Sequence, residues 1–290
     1  MHVATLIARP GGLEPSLAES LRNAWGGGAV QWLGPDEAAE FTLEAAPANL
    51  WDVWDDLQKL RVDLAVQRAE GRQKRLLIAD MDSTMIGQEC IDELAEVAGV
   101  GAHVRAVTAR AMNGELDFEG ALLERMALLK GLPEAVIADV LASRITHAPG
   151  AAALVGTMRA NGAHTALVSG GFTAFTGPVA AALGFDEHRA NVLGIEGGVL
   201  TGDVARPILG RQAKIDALDQ IAARLGIGVQ DALAVGDGAN DLGMLGHAGA
   251  GVALHAKPSV AAQCDLRINH GDLTALLFLQ GYARSEFAGV

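Results

Sequence analysis

The chain is poor in the residues that mark several common protein classes. Its two cysteines in 290 residues, Cys90 and Cys264, supply neither metal-ligand spacing nor a disulfide framework. No run of 18 apolar residues occurs, so no membrane span is expected. The opening stretch MHVATLIARPGG has no charged n-region, apolar h-region or cleavage site, and the cytoplasm is the expected location. Basic residues number 22 against 35 acids, a net charge of −13. That balance disfavours nucleic acid and anionic membranes as partners and still leaves room for a local basic pocket. With five lysines in the whole chain, any catalytic lysine comes from a short list.

What is present is an ordinary globular composition, 50% hydrophobic with 36 glycines, long enough for one to three domains. Residues 1–72 read as β-α-β-β-α-β, the order of a ferredoxin-like α+β domain. Its strands are HVATLIA, AVQWLG, AEFTLEA and RVDLAVQ, and its helices EPSLAESLRNAW and NLWDVWDDLQKL. The polar stretch RAEGRQKR then makes a linker. Beyond residue 74, apolar strands ending in small or acidic residues alternate with helices: RLLIAD, HTALVSGG, DALAVGDG and AGAGVAL. Such alternation predicts a parallel α/β sheet with its site at the carboxyl ends of the strands. Residues 74–87 and 148–290 form this core. An insert, residues 88–147, reads as four helices and a cap, and ANVLGIEGGVLTGDV as a hairpin about Gly197-Gly198.

Four polar motifs fall in the core. They are Asp80-Met81-Asp82-Ser83-Thr84, Ser169-Gly170-Gly171, Lys214, and Gly236-Asp237-Gly238-Ala239-Asn240-Asp241. Each alone has a plain reading: acids at a helix start, a glycine turn, a lysine snorkelling to water, a solvated loop. Together they place Asp80, Asp82, Asp237 and Asp241 in one strand-end crevice, too many negative charges without a cation. Hard carboxylate oxygens suit Mg²⁺ better than a soft metal. A serine hydroxyl, glycine amides and a lysine beside it describe a phosphate pocket. An aspartate in line with phosphorus can attack it, and neighbouring Asp82 can protonate the leaving alkoxide and later deprotonate water.

The motifs D-x-D-x-T, S-G-G, lone lysine and G-D-G-x-N-D, in this order over residues 74–270, resemble the haloacid dehalogenase superfamily. The insert with DFEGALLERMALLKGLP resembles the phosphoserine phosphatases within it. The resemblance implies a Rossmann-like core with a helical cap and a Mg²⁺-dependent hydrolysis of O-phospho-L-serine. It makes Asp80 the nucleophile and a metal ligand, and Asp82 the proton donor with its carbonyl on the metal. Asp237 becomes a further ligand and Asp241 its support. Ser169, Gly170 and Lys214 would hold the phosphoryl oxygens, with Asn240 beside them. Another small phosphomonoester, such as phosphohomoserine, is the alternative substrate.

Two residues bear on the substrate. Arg125 falls amid the apolar stripe of Phe118, Leu122, Met126 and Leu129, where a charge needs a partner. That partner is either a cap carboxylate or the carboxylate of a substrate, and the family places a substrate clamp here. Glu89, at a helix start, is either a dipole-favoured acid or the family's ligand for the amino group. Cys90 reads as a small buried hydrophobe, and Met112 and Phe118 as cap wall or core. Residues 1–72 resemble ACT modules on topology only; serine feedback or a dimerisation surface giving a homodimer are the roles open to them.

Overall fold

A computed structural model describes residues 1–112 and 115–289; Asn113, Gly114 and the side chain of Met112, reached by the expected second cap helix, lie outside them. The chain runs β1 (His2–Ile7), α1 (Pro15–Trp25), β2 (Gln31–Gly34), β3 (Ala38–Leu43), α2 (Leu50–Lys59), β4 (Asp63–Arg68) and β5 (Leu76–Ala79). Four helices follow: α3 (Cys90–Val97), α4 (Gly101–Met112), α5 (Phe118–Leu128) and α6 (Ala135–Ser143). Then come α7 (Ala151–Ala160), β6 (His164–Phe172), α8 (Thr173–Leu183), β7 (Glu187–Asn191), β8 (Leu193–Glu196), β9 (Val199–Val204) and α9 (Arg211–Leu225). The last elements are β10 (Ala232–Gly236), α10 (Leu242–His247), β11 (Ala250–Leu254), α11 (Pro258–Ala261), β12 (Leu266–Ile268) and α12 (Ala275–Leu279).

The main sheet is parallel and six-stranded, in the order β12-β11-β10-β5-β6-β7. β5 and β10 are buried along their whole length, as strands covered on both faces must be. The acid motifs therefore begin where two central, neighbouring strands stop. The edge strands β7 and β12 were not foreseen. One is polar (EHRAN) and the other three residues long, and neither writes an apolar run.

Chain contacts divide the molecule into two units. The first comprises Met1–Ile78, Pro149–Thr165 and Leu218–Val290. Its N-terminal sheet has the order β2-β3-β1-β4, antiparallel throughout, which is the ferredoxin-like arrangement. Leu6, Leu13, Phe41, Leu57 and Leu64 form its core beneath α1 and α2. Pro15 opens α1 and Gly26, at φ 64°, closes it, as propensity favours. Charged side chains join this sheet to residues 267–286. The buried Asp63 carboxylate accepts the N–H groups of Asn269 at 2.9 Å, His270 at 3.0 Å and Gly271 at 2.7 Å. Arg284 pairs with Glu37, and the Arg267 guanidinium lies 3.9 Å from the Trp51 ring centre. Within the N-terminal segment, Arg72 pairs with Glu40 at 2.5 Å.

The second unit, Ala79–Ala148 with Ala166–Ala217, holds the four helices expected for residues 88–147. Asp117 caps α5 by accepting the Gly120 N–H at 2.7 Å. The two chain crossings into the helical insert are zipped together: Gln88 Nε2 donates to Thr146 Oγ1 at 2.9 Å and Gln88 Oε1 accepts the Thr146 N–H at 2.9 Å. The expected hairpin is β8–β9, turned by Gly197 and Gly198 at φ 60° and 77°. Among the described residues, no helix is long and apolar enough to cross a membrane.

Candidate active site

Asp80 directly follows β5 and is 5% exposed. Its Oδ1 accepts the Lys214 ammonium at 2.5 Å. Lys214 departs from the expected edge position: it is 2% exposed and continues the buried stripe Ala217, Leu218, Ile221, Ala222 on α9. A lysine thus occupies a core position at helical spacing, and burying it this deeply requires a charged partner.

Asp82 is half-buried and doubly held. Its Oδ1 accepts the Cys90 N–H at 2.8 Å and its Oδ2 the Ser169 hydroxyl at 3.2 Å. Burial pushes its carboxyl above the ordinary range, opposed by hydrogen bonds from Cys90 and Ser169 and by the Lys214 charge. Ser169 Oγ in turn accepts the Gly171 N–H at 2.8 Å. The glycines lie within β6 rather than in a turn after it: the strand runs on to Phe172, with an irregular register against β7 between Val168 and Phe172. Close approach explains them. A Cβ on Gly171 would stand 2.8 Å from Asp82 Oδ2, and one on Gly170 would stand 3.0 Å from the Phe118 ring.

Asn191 was not anticipated. Only 2% exposed, it donates through Nδ2 to the carbonyls of Gly170 at 2.8 Å and Leu209 at 3.2 Å, and its Oδ1 accepts the Leu209 N–H at 2.7 Å. It ties the end of β6 to the segment that leads into α9 and Lys214. A lone asparagine in a polar strand gives no sign of this in the sequence.

Beyond β10, Asp237 is half-buried and Asp241 fully buried at the start of α10. The Asp241 Oδ2 accepts the Gly238 N–H at 3.0 Å, and its side chain fills the space a Cβ on Gly236 would need. Asn240 folds its Oδ1 over Gly238. A carboxylate oxygen of Asp237 lies within 4.8 Å of one of Asp241. An all-carboxylate oxygen set fits a hard divalent cation.

Glu89 is exposed at the start of α3 and accepts the Ser83 hydroxyl at 2.7 Å. Arg125 is half-buried on α5 and donates through Nε to the Ala121 carbonyl at 3.2 Å. Burial lowers its pKa, against the raising influence of Asp92, Glu89 and Asp82. Cys90 is 1% exposed.

Fold and site together define an α/β enzyme with buried acids at the carboxyl ends of its central strands and a buried lysine against the first of them. The chain belongs to the haloacid dehalogenase-like hydrolases, whose family model matches residues 77–246. It is 43% identical over 227 residues to the phosphoserine phosphatase SerB2 of Mycobacterium tuberculosis, which covers 78% of this chain and 55% of that protein. The chain thus spans about half the length of this curated relative. Among solved structures it is similar to a haloacid dehalogenase family hydrolase, t0658, from Salmonella enterica serovar Typhi: TM-score 0.88, 32% identity, 96% of this chain and 98% of that one. It is also similar to a phospho-aspartyl intermediate analogue of phosphoserine phosphatase: TM-score 0.66, 40% identity, 71% of this chain and 98% of that one.

Proposed function

We propose that the chain hydrolyses O-phospho-L-serine to L-serine and phosphate, the last step of serine biosynthesis, through an aspartyl-phosphate formed on Asp80. The contact that carries the reading is Lys214 on Asp80, with Asp82 two residues on and hydrogen-bonded to Ser169.

In this reading a carboxylate oxygen of Asp80 attacks phosphorus as the bond from phosphorus to the serine oxygen breaks. Asp82, its carboxyl raised by burial, gives its proton to the leaving serine oxygen. Asp82 then takes a proton from water as that water attacks phosphorus, and the bond to Asp80 breaks. Lys214, Ser169 and Gly170 hold the phosphoryl oxygens, with Asn240 beside them. Asp80, Asp237 and the Asp82 carbonyl would hold Mg²⁺, with Asp241 supporting them. When bound, this ion supplies positive charge that offsets the charge on the phosphoryl oxygens. Arg125 would clamp the substrate carboxylate, and Glu89 would accept its ammonium group.

The division of labour follows the chain: residues 88–147 as a cap that excludes water, 74–87 and 148–290 as the catalytic core, and 1–72 as a sensing or dimerising domain. The net charge of −13 and two unpaired, buried cysteines support a cytoplasmic enzyme acting on a small molecule, with no nucleic-acid or membrane partner. The test is phosphate release from phosphoserine in Mg²⁺, beside phosphothreonine and a sugar phosphate. Preference for phosphoserine supports the reading, and a faster rate on the sugar phosphate overturns it.

A further inference from the structure

Ser83 stands between the second acid and the threonine of the first motif, and neither role explains its geometry. Its φ is +55°, in the left-handed region that L side chains rarely adopt. Its N–H donates to the Gln88 carbonyl at 3.2 Å, and its hydroxyl donates to Glu89 Oε1 at 2.7 Å. A left-handed turn at residue 83 thus folds the chain back so that one hydroxyl meets a carboxylate six residues on. Glycine would adopt that backbone more easily but offers no hydroxyl. An uncommon backbone conformation kept in a non-glycine residue points to use of its side chain.

The carboxylate it meets has reason to need holding. Glu89 is exposed, and an exposed glutamate side chain has rotamer freedom to lose before it can bind a cation. A donated hydrogen bond fixes the position of one oxygen and with it the orientation of the carboxylate. Preorganisation of this kind lowers the ordering cost at the moment of binding. The hydroxyl also rests on an anchored loop, since Gln88 beside Glu89 is bound on both its amide atoms to Thr146.

We propose that Ser83 is a positioning residue, which fixes the Glu89 carboxylate for the ammonium group of the substrate and so favours amino-acid phosphates over simple phosphate esters. This rests on the assignment of Glu89 made above. Ser83 itself touches no reacting atom.

The test is steady-state kinetics of the full chain in Mg²⁺ on phosphoserine and on p-nitrophenyl phosphate, which has no ammonium group. Ser83→Ala keeps the Cβ and its backbone preference but removes the hydroxyl; Ser83→Gly removes the hydroxyl and relaxes the backbone. Both variants should raise KM for phosphoserine roughly tenfold, the loss typical of a hydrogen bond to a charged group. For both, kcat should stay within about twofold, as should both constants for the aryl ester. In a Glu89→Gln background, Ser83→Ala should add less than about twofold. The proposal is overturned if glycine restores the KM that alanine loses, if both substrates suffer equally, or if KM does not move. Turnover of phosphoserine by the unsubstituted enzyme tests the functional reading, and the difference between substrates among the variants tests this one, so the two fail separately.

Discussion

Lys214 and Asp80 lie 134 positions apart in sequence, yet the ammonium of one sits 2.5 Å from the carboxylate of the other, both buried. Water screens such a pair little, so each charge holds the other in place. Asp80→Asn should abolish phosphate release while leaving the far-ultraviolet circular dichroism unchanged, since a carboxamide of the same shape is no nucleophile. Lys214→Met should lower kcat/KM by at least about a hundredfold, as loss of a preorganised charge at the reacting phosphoryl does elsewhere. A smaller loss would remove Lys214 from the phosphate site.

The carboxylates of Asp237 and Asp241, with oxygens within 4.8 Å, repel one another without a cation. Chelation should stop phosphate release, and added Mg²⁺ should restore it. Mg²⁺ should also raise the melting temperature of the unsubstituted protein, because it binds the folded state alone. In Asp237→Asn that rise should shrink. An equal rise in both proteins would place the ion elsewhere.

Arg125 offers its terminal N–H groups in a half-buried setting, with Asp92, Glu89 and Asp82 supplying the nearby negative charge. Arg125→Ala should lower kcat/KM for phosphoserine by roughly a hundredfold, the worth of a charge-assisted hydrogen bond pair. On an aryl phosphate the loss should be several times smaller. Equal losses would mean that the arginine serves the cap's own folding.

The thiols should be inert. Burial, first, and then Asp82, Glu89 and Glu93 push the Cys90 thiol far above its usual pKa. Burial also raises that of Cys264. The thiolate is the reactive form. A disulfide exchange reagent near pH 8 should therefore titrate two thiols promptly in guanidinium and neither promptly in the native protein.

Asp63 is fully buried and receives three successive backbone N–H groups, from Asn269, His270 and Gly271. Asp63→Ala leaves those donors without a partner inside the protein, at a cost of about 3 kcal/mol. The midpoint of urea unfolding should fall accordingly, with little change in KM for phosphoserine. An unchanged midpoint would show that the donors find water.

Much of this molecule can be read in its sequence, because apolar runs and turn residues mark the strands β5, β6, β10 and β11 and the four helices of residues 88–147. Asp80 and Asp237 declare themselves by closing such runs. The parts that escaped depend on the register of distant segments. Lys214 is assigned to the phosphate by resemblance, but its burial is not legible until the stripe of Ala217, Leu218 and Ile221 is seen to face inward with it. Asp63 sits in an alternating strand and discloses nothing of its three amide partners. Asn191 and Ser83 act through hydrogen bonds closed only by folding, and no local pattern encodes them.

Asn191 binds the carbonyls of both Gly170 and Leu209 with a single amide. Any shift of the segment that introduces α9 must therefore drag the tip of β6 with it. The hydroxyl and the ammonium that would grip a phosphate would thereby be coupled as one jaw rather than two. Under the proposed reading, substitutions in residues 88–147 would then alter which alcohol is accepted while the grip on phosphorus stays as it was.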